Sequence, residues 1–516
     1  MTDAAVTSDE TTAGTTEGTT APLLDGDACA ELTAAFLEHR YEVDAVVAAI
    51  GEPAHAALGR NATVPARLAL AGRADPLATL TRLWLLQDRV PRRDLDRALP
   101  GLVATLADAG ILAADGDSAV ALVDVRPYAS DDGASGWVAS DLTPGLDTRI
   151  TPMRPDFVLG VSSASSTLAQ LTVRRPVARA LDLGTGCGVQ SLHLARHART
   201  IVATDLNPRA LTLARLTADL NGITVDLREG DLYGPVAGER FDLVVTNPPY
   251  VLSPPTGERL TYREGTRTSD GLVEAVVRQG AEHLSDGGVL QVLANWAHVR
   301  GEDWTDRVGG WLDPGLDVHV VEREVLDPYA YVELWLADAG LTGAPDYPER
   351  YAAWCAYFDD LGIEGVGMGW LLARRPAAPG PAHRVLESWP YAVEQPVAPA
   401  FAHELDVVDR WRSRTADEVL DTAWRLAPDV VEETVGAPGA GDPSSIVLRQ
   451  QRGLRRAVAL DTASAGVLGA CDGELSLRTL VETVAGLLDV GPDALAVELV
   501  DRVRDLALDR VLTAAP

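Results

Sequence analysis

Leu181-Asp182-Leu183-Gly184-Thr185-Gly186-Cys187-Gly188 follows an apolar, strand-like run from Ala178 and opens onto the helix-like apolar residues Leu192, Leu194 and Ala195. A glycine turn between a strand and a helix lets main-chain amides close on a ligand at the helix N-terminus, because glycine tolerates positive φ and carries no side chain to block the approach. Working outward, the next strand, Thr200-Ile201-Val202-Ala203-Thr204, ends at Asp205, 21 residues after Gly184. That is about where a nucleotide fold places an acid for ribose hydroxyls. The spacing GxGxG lacks the third glycine of GxGxxG, which shifts the expectation from a dinucleotide to an adenosyl cofactor without a pyrophosphate.

Two further elements complete the pattern. Glu229-Gly230-Asp231-Leu232 follows a third strand, and Asn247-Pro248-Pro249-Tyr250 ends a fourth, Phe241-Asp242-Leu243-Val244-Val245-Thr246. An amide or aromatic amine nitrogen is a poor nucleophile while its lone pair is delocalised. Acceptors that hold its N–H groups favour the pyramidal state, and the Asn247 side-chain oxygen and the Pro248 carbonyl can be those acceptors. Consecutive prolines fix φ and remove competing donors, and Tyr250 offers a flat face to a planar group. In-line alignment and preorganised dipoles then carry the chemistry, with no metal and no covalent nucleophile.

In this order the elements resemble class I S-adenosylmethionine-dependent methyltransferases. Residues 178 to about 296 are similar to the amino-methylating branch that includes release-factor glutamine N5-methyltransferases (HemK-like) and nucleobase amino-methyltransferases. The resemblance implies an α/β fold with a seven-stranded, doubly wound core and S-adenosyl-L-methionine as cofactor. It implies that Asp182, Gly184, Gly186 and Gly188 line the methionine part, that Asp205 holds ribose, and that Asp231 with the Leu232 backbone meets adenine. Asn247, Pro248 and Tyr250 become the catalytic group, with Asn247 also bordering the cofactor. The likeness departs upstream, where the family's proline-arginine-proline-aspartate-threonine-glutamate stretch is reduced to Met153-Arg154-Pro155-Asp156-Phe157.

Around this core the 516 residues leave room for roughly three domains at one per ~150 residues. Residues 1–24, rich in Thr, Ala, Gly and acids, read as a disordered leader. Residues 25–140 show helical stripes (Leu32, Phe36, Leu37; Leu77, Leu80, Leu83, Leu85) and then alternation from Val120 to Val125, which together resemble a winged-helix unit. Such a unit often reads DNA and in methyltransferases also serves as a dimerisation or substrate-facing module; removal of residues 1–140 should impair substrate recognition more than cofactor binding. The core is read as 150–375, completed by strands near Asp317–Val325 and Gly365–Ala373 with a helical insertion around Tyr351–Phe358. Residues 376–443 are read as an extension and linker, ending in Ala437-Pro438-Gly439-Ala440-Gly441-Asp442-Pro443. Residues 444–516 read as a second small, helical, winged-helix-like module.

Charge narrows the partners. The formal charge is −31, from 75 acidic against 44 basic side chains, and no lysine is present. Indiscriminate nucleic-acid binding needs a basic surface, so a protein substrate is favoured while nucleic acid stays open. Cysteines 29, 187, 355 and 471 form no CxxC pair, which suits a reduced cytoplasm and suggests no disulfide framework. His193 and His197 are spaced like zinc ligands on a helix, but without the glutamate of HExxH they read as a solvated face and no metal site is expected. No apolar run of membrane-spanning length occurs. Three functions stay open: a protein glutamine N-methyltransferase, a nucleobase exocyclic-amine methyltransferase, and a winged-helix regulator that senses an adenosyl ligand. The oligomeric state is left open.

Overall fold

The computed structural model describes residues 23–148, 154–255, 267–411, 414–439 and 443–515. Nearly all of the expected leader lies outside them. The described end of the leader reading, Leu24, is buried in the core.

The central sheet is built from β1 (Val177–Leu183), β2 (Ala198–Asp205), β3 (Asp226–Glu229), β4 (Phe241–Thr246), β5 (Leu284–Val299), β6 (Asp317–Leu326), β7 (Ile363–Arg374) and β8 (Arg384–Ser388). Their order across the sheet is β8-β6-β7-β5-β4-β1-β2-β3. β1 pairs parallel with β2 and β4, β5 runs parallel to β4, and β7 lies antiparallel between β5 and β6. Seven of these strands are the expected core. The eighth, β8, pairs parallel with β6 from Val318↔Arg384 to Glu322↔Ser388, so the segment read as an extension begins with a strand of the core sheet.

Side chains alternate between two covered faces, as the period-2 pleat requires. Leu181, Val244, Leu290, Val292 and Leu371 pack with Val273, Val276 and Val277 of the helix Gly271–Gly280. Ala180, Leu243, Val245, Val289 and Leu372 pack on the other face with Leu168, Leu211 and Phe401. Because both faces are buried, the strands read as continuous apolar runs. The chain's progress across the sheet reverses between β1 and β4, which opens a crevice at their carboxyl ends, the usual ligand position in such sheets.

Glycines 365, 367 and 369 belong to β7, as their alternation with larger residues suggests. Trp296 pairs with Gly367 across the ladder. A side chain at Gly367 would collide with the Trp296 indole and the Glu322 carboxylate; with glycine there, the indole N–H donates to Glu322 at 2.9 Å.

In the N-terminal module the helices Pro76–Trp84, Arg92–Ala98 and Leu102–Asp108 surround a small sheet in which Ser118–Ala121 lies between Val90–Pro91 and Leu112–Ala114. Along the chain these elements follow as helix, strand, two helices and two strands. Leu32 and Phe36 are buried as the stripe predicts, whereas Leu37 is 64% exposed, because only one side of that helix meets the core. The apolar alternation to Val125 does not form one strand. It breaks after Ala121, and Asp124–Ala129 starts a separate hairpin with Ser135–Ser140.

The reading of 437–443 as a linker is corrected by pairing. Val430–Val435 and Ser445–Gln450, on either side of it, form one antiparallel ladder, so the Pro/Gly stretch joins two strands; residues 440–442 lie outside the described set. Likewise Ala423–Leu426 is the middle strand of the C-terminal three-stranded sheet, so the last module reaches upstream of 444.

That module is tied to the core by a buried charged cluster. His319 on β6 is hydrogen-bonded through Nδ1 to Glu404 (2.7 Å) and through Nε2 to Glu387 on β8 (2.9 Å), and Arg456 pairs with Glu387 and with Asp509. Burial opposes the imidazolium, but the Glu404 and Glu387 carboxylates outweigh it and raise the His319 pKa from 6.5 to about 9. A group whose folded pKa is raised stabilises the fold fully below its unfolded pKa and loses that contribution as pH rises through the folded one. The urea midpoint is therefore expected to fall between pH 6.5 and about 9, and His319→Gln should flatten that part of the profile. A parent midpoint that is constant over this range would contradict the assignment.

Candidate active site

The crevice at the carboxyl ends of β1, β2 and β4 is a cavity whose walls come from the glycine turn, the ends of β2 and β4, the Gly230–Leu232 corner and the segment Phe157–Gly160. The turn is anchored by Gly184 N–H and Thr185 N–H, both donating to the Thr204 carbonyl at 2.8 and 2.9 Å. Gly184 (φ +73°) and Gly186 (φ +55°) take left-handed conformations, and a Cβ at either would meet open space. Their backbones therefore face the cavity directly.

Gly188 behaves differently. It also has positive φ (+81°), but an added Cβ would stand 3.2 Å from the Ala214 Cα of the helix Pro208–Leu220, and it is absent from the cavity wall. Its smallness serves helix packing; its expected place along the cofactor is corrected.

The four acids and amides have distinct surroundings. Asp182 is buried, with one carboxylate oxygen accepting from Thr185 Oγ1 (2.7 Å) and Ser191 Oγ (2.8 Å). Burial pushes its pKa up to about 6 in spite of those donors. Asp205 accepts from Gly186 N–H (2.9 Å) and Asn207 N–H (2.8 Å), which oppose the upward push of burial. It therefore braces the glycine turn as well as bordering the cavity. Asp231 is exposed at the mouth, and Leu232 beside it has φ +46°. The Asn247 side-chain oxygen is buried at the cavity wall and has no hydrogen-bond partner among the described residues. A buried acceptor left unpaired is costly, and this one borders the cavity.

Pro248 lines the cavity beside Asn247, but Tyr250 does not. The Tyr250 ring is set edge-on to Trp335 at 6.2 Å, and burial pushes its hydroxyl pKa up to about 12. Trp335 belongs to the helix Pro328–Asp338, which with Tyr347–Leu361 fills the connection between β6 and β7. Tyr250 thus stands outside the lining of the cavity and packs against this helical insertion. Tyr262-Arg263-Glu264-Gly265, downstream of Tyr250, lies outside the described residues.

Ser162 and Ser165 form a reciprocal capping box for the helix Ser163–Leu171 and also line the cavity. His193 is buried, hydrogen-bonded to Tyr128 Oη and to Asp132, each at 2.8 Å. The helix ends at Leu194, one turn short of His197. The solvated-face reading of the pair is therefore corrected to a packing contact between the N-terminal hairpin and the helix after the glycine turn.

Sequence reasoning missed the wall Phe157–Gly160 and Gln190, whose Nε2 donates to the Ser165 carbonyl at 2.7 Å. Only the partial motif at Met153–Phe157 pointed there. It also misplaced the N-terminal module. Phe36, Trp84 and Trp137 share one buried cluster with Cys187, Val189 and Leu192, directly behind the glycine turn. The module backs the cofactor side of the cavity, so removal of residues 1–140 is expected to weaken cofactor binding as well as substrate recognition.

The arrangement fits S-adenosyl-L-methionine on its own geometry: open backbone at Gly184 and Gly186, carboxylates at Asp205 and Asp231 for hydroxyl and amine donors, apolar Leu206 and Leu232, and an unpaired acceptor at Asn247. Among the described residues no helix is long and apolar enough to cross a membrane.

Comparison with known proteins agrees. Residues 160–303 match the family described as Methyltransferase small domain, and residues 38–122 match a family described as Domain of unknown function (DUF7059). A release factor glutamine methyltransferase from Geobacter sulfurreducens is 34% identical over 165 residues, 29% of this chain and 55% of the relative. A ribosomal RNA small subunit methyltransferase C from Salmonella arizonae is 27% identical over 176 residues, 34% of this chain and 45% of the relative. A solved methyltransferase from Pyrococcus furiosus is 15% identical, with coverage of 42% of this chain and 84% of that one and a TM-score of 0.26. The chain thus spans about half the length of the curated relatives it matches. With the glycine turn, the two acids and the Asn247 acceptor brought to one cavity, and residues 160–303 matching the Methyltransferase small domain, the core is that of a class I S-adenosylmethionine-dependent methyltransferase.

Proposed function

We propose that the protein is a cytoplasmic N-methyltransferase that acts on a planar amide or amino nitrogen, with a protein glutamine side chain as the favoured acceptor. The single observation that carries this reading is the buried, unpartnered Asn247 oxygen beside the Pro248 edge of the cofactor cavity. S-adenosyl-L-methionine, held by Gly184, Gly186, Asp205, Asp231 and Leu232, supplies an electrophilic methyl group when bound. Asn247 and the Pro248 carbonyl accept the N–H groups of the incoming nitrogen, hold it in line and favour its pyramidal form, and the low-polarity wall strengthens those bonds.

Three features support protein over nucleic acid. The insertion beside Tyr250, residues 328–361, carries Glu333, Asp338, Asp346, Glu349, Asp359 and Asp360 against Arg350 alone. In the N-terminal winged-helix unit, the helix Leu102–Asp108 has no basic residue. Its strand turn is Asp115-Gly116-Asp117, which repels rather than gathers phosphate. The second reading, a nucleobase amine, is favoured by the likeness to the ribosomal RNA methyltransferase.

Incubating the purified protein with methyl-labelled S-adenosylmethionine and cell lysate, then digesting the product with protease or nuclease, separates the two. Label is expected to be lost to protease, with methylation only weakly dependent on salt. Label that survives protease and vanishes on nuclease treatment, with a steep salt dependence from counterion release, would install the nucleobase reading.

A further inference from the structure

The wall segment Phe157–Gly160 has no regular secondary structure. What holds it against the cavity is the first residue after the N-terminal hairpin. Asp141 N–H donates to the Val158 carbonyl at 3.1 Å, and Val158 N–H donates back to the Asp141 carboxylate at 2.8 Å. Gly160 lies against the hairpin's last residue, where an added Cβ would stand 2.8 Å from Ser140 Oγ. From the other side, Asn207 Nδ2 donates to the Asp156 carbonyl at 2.9 Å.

The Asp141 carboxylate, 8% exposed, is neutralised by Arg209, whose Nε lies 3.0 Å from both of its oxygens. Arg209 N–H donates to Asn207 Oδ1 at 3.0 Å, and Asn207 N–H donates to Asp205 at 2.8 Å. An unbroken run of polar contacts therefore joins the hairpin, the wall and the acid at the end of β2.

We propose that Asp141 is a positioning residue for the cofactor: it makes the N-terminal module the outer support of the pocket by holding Phe157–Gly160 in the closed arrangement. The inference rests on the reading that the cavity takes S-adenosyl-L-methionine. Without the two bonds to Asp141, the wall visits positions in which the pocket is incomplete, and apparent affinity falls in proportion to the fraction of closed molecules. Asp141 touches no ligand itself; it acts through Val158 and through Arg209.

The test is calorimetric titration of the full chain with S-adenosylmethionine, together with hydrogen exchange at the Val158 amide. Asp141→Ala is expected to weaken binding roughly 5- to 50-fold, the scale of a buried donor left unpaired, and to speed Val158 exchange. Asp141→Asn keeps an acceptor for Val158 and should recover part of the loss. Arg374→Ala serves as the control. Its buried guanidinium bonds Asp317 and Asp409 at the end of the sheet away from the cavity, at 2.6 and 2.8 Å; it should lower the melting temperature and leave cofactor affinity within twofold.

A merely structural Asp141 would lower stability alone. Affinity in Asp141→Ala within twofold of the parent overturns the proposal. If Asp141→Ala does not fold, Gly160→Ala, which presses a methyl group on Ser140, is expected to weaken binding several-fold, and unchanged affinity there overturns the proposal equally. A parent that binds no S-adenosylmethionine overturns the cofactor reading itself, and that outcome is recognised before any variant is made.

Discussion

Asn247→Ala is expected to leave S-adenosylmethionine affinity within about twofold of the parent and to lower turnover by roughly 10²-fold or more, the scale seen when one preorganised polar group is removed from a reacting centre. The split between binding and chemistry follows from where the side-chain oxygen stands. It is buried at the cavity wall with no partner among the described residues, so its removal should not destabilise the chain. Single-turnover rates measured beside calorimetric affinities check this. Equal loss in both would make Asn247 a cofactor ligand instead of an acceptor for the incoming nitrogen. A sensor of adenosyl ligands would have no use for that acceptor: parent protein that binds the cofactor but methylates no fraction of a lysate would favour the regulator.

Asp205→Ala is expected to weaken S-adenosylmethionine binding by about 1.5–3 kcal/mol, the worth of hydrogen bonds to a charged group, which is roughly 10- to 150-fold in dissociation constant. Two contributions act in the same direction. The carboxylate is lost to the ligand's hydroxyls, and Gly186 N–H, 2.9 Å from it, loses the acceptor that helps hold the glycine turn. Asp205→Asn keeps an acceptor for Gly186 and Asn207 and should lie between parent and alanine. NAD should not compete at any concentration that leaves the fold intact, since the turn lacks the third glycine of the dinucleotide fingerprint. Unchanged affinity in Asp205→Ala, or tight NAD binding to the parent, would remove the assignment.

Much of the cofactor side was legible in the chain because it is built from contiguous residues at the ends of adjacent parallel strands. A strand followed by a glycine turn, then a strand ending in an acid, already constrains main-chain direction and side-chain reach. Gly184, Gly186, Asp205, Asp231 and Asn247 consequently border one crevice. Gly188 could not be separated from the other two glycines in the same way. All three have positive φ, and only the neighbouring Ala214 backbone distinguishes a glycine that admits a ligand from one that admits a helix. Tyr250 shows the same limit, because its surroundings come from Trp335, 85 residues further on.

The amino-acid order by itself determined the class of the core, its strand-turn-helix units, the two acids and the unpaired acceptor, since period-2 burial, glycine φ and consecutive prolines act within a few residues of one another. Only the tertiary structure decided what those units lean on. It added β8 to the sheet edge, joined the strands flanking 437–443 into one ladder, placed the helical insertion over Tyr250, and set the N-terminal module behind the glycine turn with Asp141 bonded to the Val158 wall. Those choices depend on which apolar faces and which buried charges meet beyond the few residues a local pattern spans, and pairing at that range is settled by shape and by the cost of leaving Val158 N–H, Arg209 or His319 without partners.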